Sequence, residues 1–461
     1  MKDFVSLSLL LSAMLFAGDN LAITGAPEEV ALTIYGNNLA MISEKRSATI
    51  KKPGHVKLMY PGVPSSIDTS SVLASFSQPV RLYSQNYSYD IVSYRSLLKY
   101  HLGKTVHYTE KKESVEIKEG TLLAVNPLLV REPNFGVIFT PYQIFFPDIP
   151  REMAVKPSLF WNIETEAKSL DIGLRYLTRG MSWKSDYTVN LSDDKNLELN
   201  SWITITNNSG ADYRDANITV LAGEVNIAHP RSRRLYAMRK TIGMAKESDN
   251  IKSEAFSGYH IYPIPFRETI RNKEKKQISF IGKGGIAYQR YGVNREPVYF
   301  SSSSERKLRF DQVIAFKNSR ENHLGIPLPK GTVRVYQKDR GGRSRFVGSS
   351  NISDIPKDEE VKLTIGKYFD ISGRERVSSY RQTRTEKHIG YEITLSNHSG
   401  RSTLLKIEKS VPVNRGKLTV TDNCTGQCSR ERHSAFATLY AITLKPDETY
   451  RLTINYDLKL Y

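Results

Sequence analysis

The sequence of 461 residues contains only two cysteines, Cys424 and Cys428. Two thiols cannot form the dense disulfide framework of a small secreted scaffold or a zinc site of four thiolates. After the N-terminus, no apolar run approaches the roughly 20 residues that a membrane-spanning helix needs. The sequence therefore excludes a disulfide-rich mini-protein and predicts no transmembrane span.

Known catalytic motifs are missing as well. The sequence has no GxSxG elbow, no SxxK, no HExxH and no Walker A loop, and its nine histidines are scattered. We interpret each histidine as a surface or packing residue. The paired carboxylates of a glycosidase cannot be recognised from the sequence, because the fold sets the distance between them. We therefore predict no catalytic residue, no metal ligand and no cofactor, and we favour a non-enzymatic protein.

The first twenty residues have the pattern of a secretory signal peptide. Lys2 precedes an apolar run from Phe4 to Phe16, and small residues follow at Ala17 and Gly18. We predict a signal peptide over residues 1–17, although Leu15 fits the position three residues before the cleavage site only moderately well. The alternative is a buried N-terminal helix. Export places the mature protein in the periplasm or outside the cell, with association to the outer membrane or cell wall as a further expectation.

Acidic residues are too few to balance the basic ones. Lys and Arg number 66 against 48 Asp and Glu, so the formal net charge is +18. Export argues against nucleic acid, and the cations are spread along strand-like segments and not gathered on a recognition helix. We expect an envelope protein or an anionic glycan or lipid surface as partner. The alternative is that a high pI is general among the proteins of the organism. The oligomeric state stays open.

Helical periodicity of useful length is nearly absent, with one weak candidate around Leu235 to Ala245. Most patterned segments alternate with period two, as in the last strand, where Leu452, Ile454 and Tyr456 alternate with polar residues. Such half-buried strands favour antiparallel sheets. The predicted fold is mainly β, with tandem antiparallel β-sandwich and small β-barrel domains.

Breaks in this pattern predict four domains after the signal peptide. They are an N-terminal β domain at 27–94, a small β-barrel at 95–152, a β-sandwich at 153–318 and a C-terminal β-sandwich at 319–461. The third domain contains a basic, polar insertion at about 228–256 with little apolar material to bury. We interpret this insertion as a mobile loop. It is either a solvated segment or a docking segment for an acidic partner, through Arg231, Arg233, Arg234, Arg239 and Lys240.

The two cysteines are four positions apart on a predicted turn. In an oxidising compartment we expect Cys424 and Cys428 to form a local disulfide. A metal site with His433 is an alternative, but a fourth ligand is missing. Redox catalysis is less favoured, because three residues separate the thiols and no helix follows.

The three tryptophans, Trp161, Trp183 and Trp202, all lie in strand-like segments. Because tryptophan is highly buried on average, we predict that they fill sandwich cores. Stacking on sugar rings is the alternative.

A series of segments resembles a known family. The resemblance covers roughly two thirds of the chain and rests on the order of its segments more than on any one motif. The segments are Lys156–Trp161, Leu174–Tyr187, Trp202 with Asn207, Gly210 and Asp215, Lys276–Ser279, Gly331–Tyr336, Phe346–Gly348, Leu363–Gly366, Tyr391–Thr394 with Asn397 and His398, and the final strand.

Together these segments look like the uncharacterised bacterial conserved-domain family 4139, the C-terminal part of mucoidy-inhibitor-A-like proteins. The resemblance implies an exported, β-rich protein with no established enzymatic role, and it supplies no active-site residues. The N-terminal third departs from the mucoidy-inhibitor-A form, since it lacks a heptad-patterned coiled coil. A role that depends on such a helical arm is therefore not expected.

Three functions fit these observations. The first is an exported, non-enzymatic protein that binds an envelope protein or an anionic glycan. The second is an envelope hydrolase acting on polysaccharide or peptide, whose carboxylates the fold would bring together. The third is a β-sandwich component of an assembly or an adhesin, which would show an exposed edge strand or a large apolar patch.

Overall fold

The structure is a computed structural model of the whole chain. It describes residues 20–88, 92–112, 116–133, 136–149, 156–223, 254–256, 258–302, 305–413 and 415–460. The predicted signal peptide and most of the basic insertion at 228–256 lie outside these residues.

Strands dominate the described residues. The first twelve are β1 Leu21–Ile23, β2 Glu29–Tyr35, β3 Leu39–Thr49, β4 Gly54–Pro61, β5 Ile67–Phe76, β6 Arg81–Ser88, β7 Thr105–Thr109, β8 Lys118–Val125, β9 Leu128–Glu132, β10 Gly136–Phe139, β11 Gln143–Phe145 and β12 Ser158–Thr165. The next ten are β13 Ser169–Arg179, β14 Met181–Leu191, β15 Asn196–Asn207, β16 Tyr213–Ala222, β17 Glu254–Phe256, β18 Tyr259–Pro263, β19 Glu268–Ile270, β20 Glu274–Pro297, β21 Arg306–Leu308 and β22 Asp311–Lys317. The remaining strands are β23 Gly331–Lys338, β24 Ser344–Ile352, β25 Glu360–Lys367, β26 Ile371–Gln382, β27 Glu386–Asn397, β28 Thr403–Ser410, β29 Lys417–Asp422, β30 Cys428–Ser434, β31 Ala437–Leu444 and β32 Thr449–Lys459.

Helix is scarce in the described part of the chain. The α-helix α1 spans Tyr94–Tyr100, and Arg320–Asn322 form a single 3-10 turn. Ser93 caps α1, since its hydroxyl accepts a hydrogen bond from the Ser96 amide. None of the described helices is long and apolar enough to cross a bilayer. The prediction of a mainly β fold is confirmed.

The chain forms two compact units, and each draws on more than one stretch of sequence. Among the described residues, the first comprises those up to 182 together with 206–221 and 262–276, and the second comprises 183–205 and the described residues of 222–261 and 277–460. The four domain boundaries read from the sequence stay a prediction.

The first unit contains two sheets that pack face to face. One contains the run of strands β16-β2-β3-β13-β5, and the other has the order β1-β4-β12-β6. Side chains from both sheets meet between them: the Trp161 ring of β12 contacts the Phe76 ring of β5 edge-on, with centroids 6.1 Å apart. Trp161 is fully buried, as predicted.

A smaller sheet of the first unit takes in residues 105–145. Its order is β10-β9-β8-β7-β11, and α1 covers it by adding Leu98 to a core that includes Val106, Tyr108 and Leu122. In the described residues the end strands β10 and β11 do not pair with each other. The sheet is thus open, and the small closed barrel expected here is wrong, because two short edge strands end the ladder.

The second unit is also built from two packed sheets. The larger runs β24-β23-β14-β15-β20-β28-β31-β30, with β22 joining β20 to β25, and the smaller runs β21-β26-β27-β32-β29. Their common core contains Ile393 and Leu395 of β27, Ile407 of β28 and Ile454 of β32. Most described pairs are antiparallel, but β1–β4, β2–β16, β14–β23 and β20–β28 are parallel. Each parallel pair joins strands that lie far apart in the chain, as parallel pairing requires.

Candidate functional site

The smaller sheet of the second unit exposes one broad face. Along β27 and β32 successive side chains alternate, so that Ile389 and Ile454 are fully buried while His388 and Asp457 point away from the core. We call the solvent side of this sheet the outer face. It is formed by Arg374, Arg376, Ser378, Ser379, Arg381, His388, Gly390, Glu392, Lys417, Arg451, Asn455, Asp457 and Lys459.

A chain of hydrogen bonds crosses the outer face from β26 to β32. Ser379 Oγ lies 2.7 Å from His388 Nε2, and His388 Nδ1 lies 2.7 Å from Asp457 Oδ1. The His388 side chain is 25% exposed and the Asp457 side chain 52%. Because an ionised carboxylate can only accept, it favours the neutral tautomer with the ring proton at Nδ1, and in that tautomer Nε2 accepts the Ser379 hydroxyl proton.

Strand register explains why these side chains meet. His388 is directly opposite Asp457 in the β27–β32 pair. In the β26–β27 pair, Ser379 is opposite Gly390, and the register shifts between Val377 and Ser379. Such a bulge re-aims side chains on its strand, and bulges are frequent beside active sites.

Gly390 leaves room for this arrangement. A Cβ at this position would lie 2.5 Å from Ser379 Oγ and 2.6 Å from both Ser378 Oγ and Asn455 Oδ1. Real Cβ atoms do not approach oxygen so closely. The absence of a side chain at Gly390 therefore lets three polar side chains converge beside His388.

The order serine, histidine, aspartate is that of a nucleophile with its base and orienting carboxylate. In such a set the imidazole removes the hydroxyl proton while the carboxylate fixes its tautomer and stabilises the cation that forms. The backbone N–H groups of β27 are committed to the ladders with β26 and β32. Stabilisation of a developing oxyanion would thus fall to side chains such as the Ser378 hydroxyl.

Cations predominate around this row. Arg376 binds Glu392 at 2.6 Å, and this hydrogen bond holds the pKa of Glu392 below its usual value. Lys459 Nζ lies 3.8 Å from Glu386. Within the described residues, Arg381, Lys417 and Arg451 form no ion pair. The outer face thus carries positive charge that is not neutralised at contact distance.

Beneath the outer face, between the two sheets of the second unit, two charged side chains are fully buried. Lys409 Nζ of β28 lies 2.5 Å from Glu375 Oε2 of β26, and the two side chains are 0% and 1% exposed. The Arg306 guanidinium donates to Glu375 Oε1 at 2.6 Å and pairs with Glu296 at 2.9 Å. Burial lowers the pKa of Lys409, against the opposing effect of Glu375. Lys409 and Glu375 are enclosed by the core, so we assign this pair to the fold and not to ligand binding.

The first unit has a comparable buried network around Glu44. Arg46 donates to Glu44 Oε2 at 2.6 Å, while the hydroxyls of Tyr60 and Tyr176 donate to its two oxygens at 3.0 Å each. Burial raises the pKa of Tyr176 well above its ordinary value. Both oxygens of the carboxylate accept hydrogen bonds, so the network has the character of a structural element.

The predicted cysteine pair lies in the second unit. Cys424 and Cys428 have their Sγ atoms 2.07 Å and their Cα atoms 5.2 Å apart, which is compatible with the predicted disulfide. Among the described residues, no group of three or more His, Cys, Asp or Glu side chains is arranged to hold a metal ion. His433 is exposed on β30.

Other predicted positions have different outcomes. Trp183, at 9% exposure, is buried as expected, whereas the expectation is wrong for Trp202, which is 44% exposed. Trp202 lies on the outward-facing side of the alternating strand β15, between buried Ser201 and Ile203. The proposed docking residues Arg231, Arg233, Arg234, Arg239 and Lys240 lie outside the described residues, as does the weak helix candidate at 235–245.

Sequence reasoning missed Ser379, His388 and Asp457 as a set. Each occupies a solvent-facing position of a period-two strand, and that much was visible in the sequence. Their partnership depends on register between strands up to 69 residues apart, and no local motif encodes it.

Comparison with known proteins gives one match, to a family model. No curated protein matches the chain. A family model described as a domain of unknown function, DUF4139, matches residues 172–460, which is more than half of the chain and includes the whole outer face. The chain therefore belongs to the DUF4139 family.

Proposed function

We propose that this protein is exported, acts in the periplasm or outside the cell, and binds an anionic glycan of the cell envelope through the outer face. The observation that carries the proposal is the set of unpaired cations Arg381, Lys417 and Arg451 on one sheet face. A carboxylate polymer could contact all three without competing with an ion pair in the protein. An envelope protein with an acidic surface is the alternative partner.

The shape and charge of the outer face suit an extended polymer. An open sheet face presents side chains in rows about 4.8 Å apart, so a chain lying across the strands meets several rows. The whole protein carries a net charge of +18, which attracts polyanions over a distance before contact. Attraction of this kind weakens with salt, because exposed charges are screened.

A binding measurement with a defined polymer tests the proposal. Polygalacturonate is the anionic probe and dextran the neutral one, with the mature chain in 50 mM and 300 mM salt. We expect binding to polygalacturonate only, and a decrease of at least tenfold in affinity when Arg381, Lys417 and Arg451 are all changed to alanine. The matched control changes Lys317, Lys330 and Arg340, three exposed cations of the same unit, and should retain binding within about twofold.

A second arm separates the outer face from the basic insertion. Glutamine replaces Arg231, Arg233, Arg234, Arg239 and Lys240 in one variant. If this variant loses binding and the outer-face variant keeps it, the insertion is the docking segment and the outer face is not. If the chain bound dextran as tightly as polygalacturonate, the protein would not recognise the charge of the polymer.

A further inference from the structure

We propose that Ser379 is the nucleophile of an ester-hydrolysing site, with His388 as its general base and Asp457 as the carboxylate that orients the imidazole. The two 2.7 Å contacts supply the required connectivity. These two contacts favour the hydrolase alternative, whether or not the protein binds a glycan. The nucleophile requires only this geometry, whereas the choice of substrate below rests on the proposed function.

The position of Ser379 is unusual for a purely structural serine. It lies beside a bulge, faces solvent, and stands opposite Gly390, whose missing side chain makes room for the Ser379 hydroxyl. Because Ser379 is exposed, a substrate carbonyl can approach its Oγ from the solvent side. The hydroxyls and amide around Gly390 are the polar groups available near a developing oxyanion.

The reaction would proceed by acyl transfer to serine. Ser379 Oγ attacks the ester carbonyl carbon as His388 Nε2 takes the hydroxyl proton, and a tetrahedral oxyanion forms. The bond from carbon to the alkoxy oxygen then breaks, and His388 returns the proton to the departing alcohol. Water attacks the acyl-serine, again losing its proton to Nε2, and this proton returns to Ser379 Oγ as the carboxylic acid leaves. Water is the single co-reactant.

The surroundings of Ser379 indicate the class of substrate. The serine is exposed on the solvent side of its sheet, so it suits a small acyl ester that projects from a larger molecule. Arg381 is directly opposite His388 in the ladder, and Arg376 lies further along the same strand. Together with the proposed glycan binding, these cations point to small acyl esters on an anionic polysaccharide.

A second serine and histidine on the same face provide an internal control. Ser372 Oγ lies 3.2 Å from His398 Nε2, on the same strand β26. In the described part of the chain His398 has no carboxylate at its other ring nitrogen. Ser372 therefore has the same type of contact without the orienting group, and its reactivity should be that of an ordinary serine.

The experiment uses the mature full chain, a fluorophosphonate probe and 4-nitrophenyl acetate. Peptide mass spectrometry locates the labelled serine, and absorbance follows ester cleavage. We expect the probe to label Ser379. The Ser379→Ala variant should lose both the label and ester hydrolysis above the buffer rate. In His388→Gln the rate of hydrolysis should decrease by about 10²-fold or more. Asp457→Asn should slow labelling at least about tenfold, while Ser372→Ala should behave as the unmodified chain.

Two results would overturn the inference. One is the absence of label on Ser379 in folded protein, and the other is an equal labelling rate in the Asp457→Asn variant. Circular dichroism of each variant establishes that it is folded. Loss of polygalacturonate binding with retained labelling would reject the proposed function and the substrate class but keep the nucleophile, so the failures are distinguishable.

Discussion

Lys409 and Glu375 face each other inside the second unit, with Nζ 2.5 Å from Oε2 and neither side chain more than 1% exposed. Desolvation of two charges is costly, and the ion pair offsets it only while both partners are present. Glu375 is shared with Arg306, which has a second carboxylate in Glu296. The cluster therefore depends on a balance of two cations and two carboxylates.

Removing one member should destabilise the fold strongly. We expect Lys409→Ala to lower the free energy of unfolding by about 3–5 kcal/mol, because it leaves the buried Glu375 with less compensation. The double variant Lys409→Met with Glu375→Leu should lose less than Lys409→Ala alone, since it removes both charges and retains the Arg306 to Glu296 pair. Urea unfolding measures both, with the exposed Lys445→Ala as a control that should change stability by no more than about 0.5 kcal/mol. A double variant less stable than the single one would contradict this account.

Near this cluster, the Tyr391 side chain forms hydrogen bonds with the backbone of Tyr299. Its hydroxyl donates to the Tyr299 carbonyl at 2.8 Å and accepts from the Tyr299 amide at 3.1 Å. Burial, reinforced by the charge of Glu375, raises the pKa of Tyr391 to about 12. An unfolded tyrosine titrates near 10, so the unfolded state loses its proton first as the pH rises.

The free energy of unfolding should therefore fall as the pH rises from about 10 to 12, and the titration of Tyr391 should account for part of this fall. In Tyr391→Phe that contribution disappears, so the decline across this window should be shallower although the variant is less stable at pH 7 by about 1–2 kcal/mol. Urea midpoints at pH 7, 10 and 11 measure both effects. The exposed Tyr380→Phe serves as control. Parallel declines for Tyr391→Phe and the unmodified chain would rule out the assigned contribution.

The last strand shows how far the sequence could predict this structure. Its alternation correctly separated Leu452 and Ile454 in the core from Asn455 and Asp457 outside, because strand geometry alone imposes period two. The same rule did not place Trp202, since alternation says which residues share a face but not which face is covered. Pairing His388 with Asp457 required the register of β27 on β32. That register is fixed by the packing of the core between the two sheets. The pattern of a single strand carries no information about this packing.

Asp186 provides a prediction for acidic pH. It accepts from Lys184 Nζ at 2.9 Å and from Thr204 Oγ1 at 2.9 Å, and Arg334 lies 3.4 Å away. Burial acts to raise the pKa of Asp186, but these donors outweigh it and lower the pKa below its ordinary value.

A lowered pKa means that the folded state holds its proton less firmly than the unfolded state. The stability supplied by Asp186 is present above the unfolded pKa, near 3.9, and is lost as the pH falls below it. Asp186→Asn should thus be less stable than the unmodified chain at pH 7 and closer to it at pH 3. Urea unfolding at both pH values measures the difference, with the exposed Asp370→Asn as control. An unchanged difference between the two pH values would show that Asp186 makes no such contribution.

Export is open to a direct test in a Gram-negative host. If residues 1–17 are a signal peptide, the periplasmic fraction should contain protein whose mass places the N-terminus at Gly18. Replacing Leu10 and Leu11 with arginine interrupts the apolar run and should keep the chain, at its full mass, in the cytoplasm. Lys2→Arg retains the positive charge and should be exported normally. Full-mass protein in the periplasm would contradict cleavage, and cytoplasmic retention of the unmodified chain would contradict export.

Gly390 connects the fold to the proposed chemistry most directly. A methyl group there would lie 2.5 Å from Ser379 Oγ, so in Gly390→Ala the serine has to turn away from His388. The crowding involves the ends of three exposed or half-exposed side chains, which can move, and we expect a loss of stability of no more than about 1–3 kcal/mol. Fluorophosphonate labelling of Ser379 should nevertheless fall at least about tenfold, because the base no longer contacts the hydroxyl. Gly366→Ala is the matched control, since a Cβ on that strand glycine has no atom within 4 Å. If Gly390→Ala were folded and labelled as fast as Gly366→Ala, the contact between Ser379 and His388 would have no part in the reactivity of the serine.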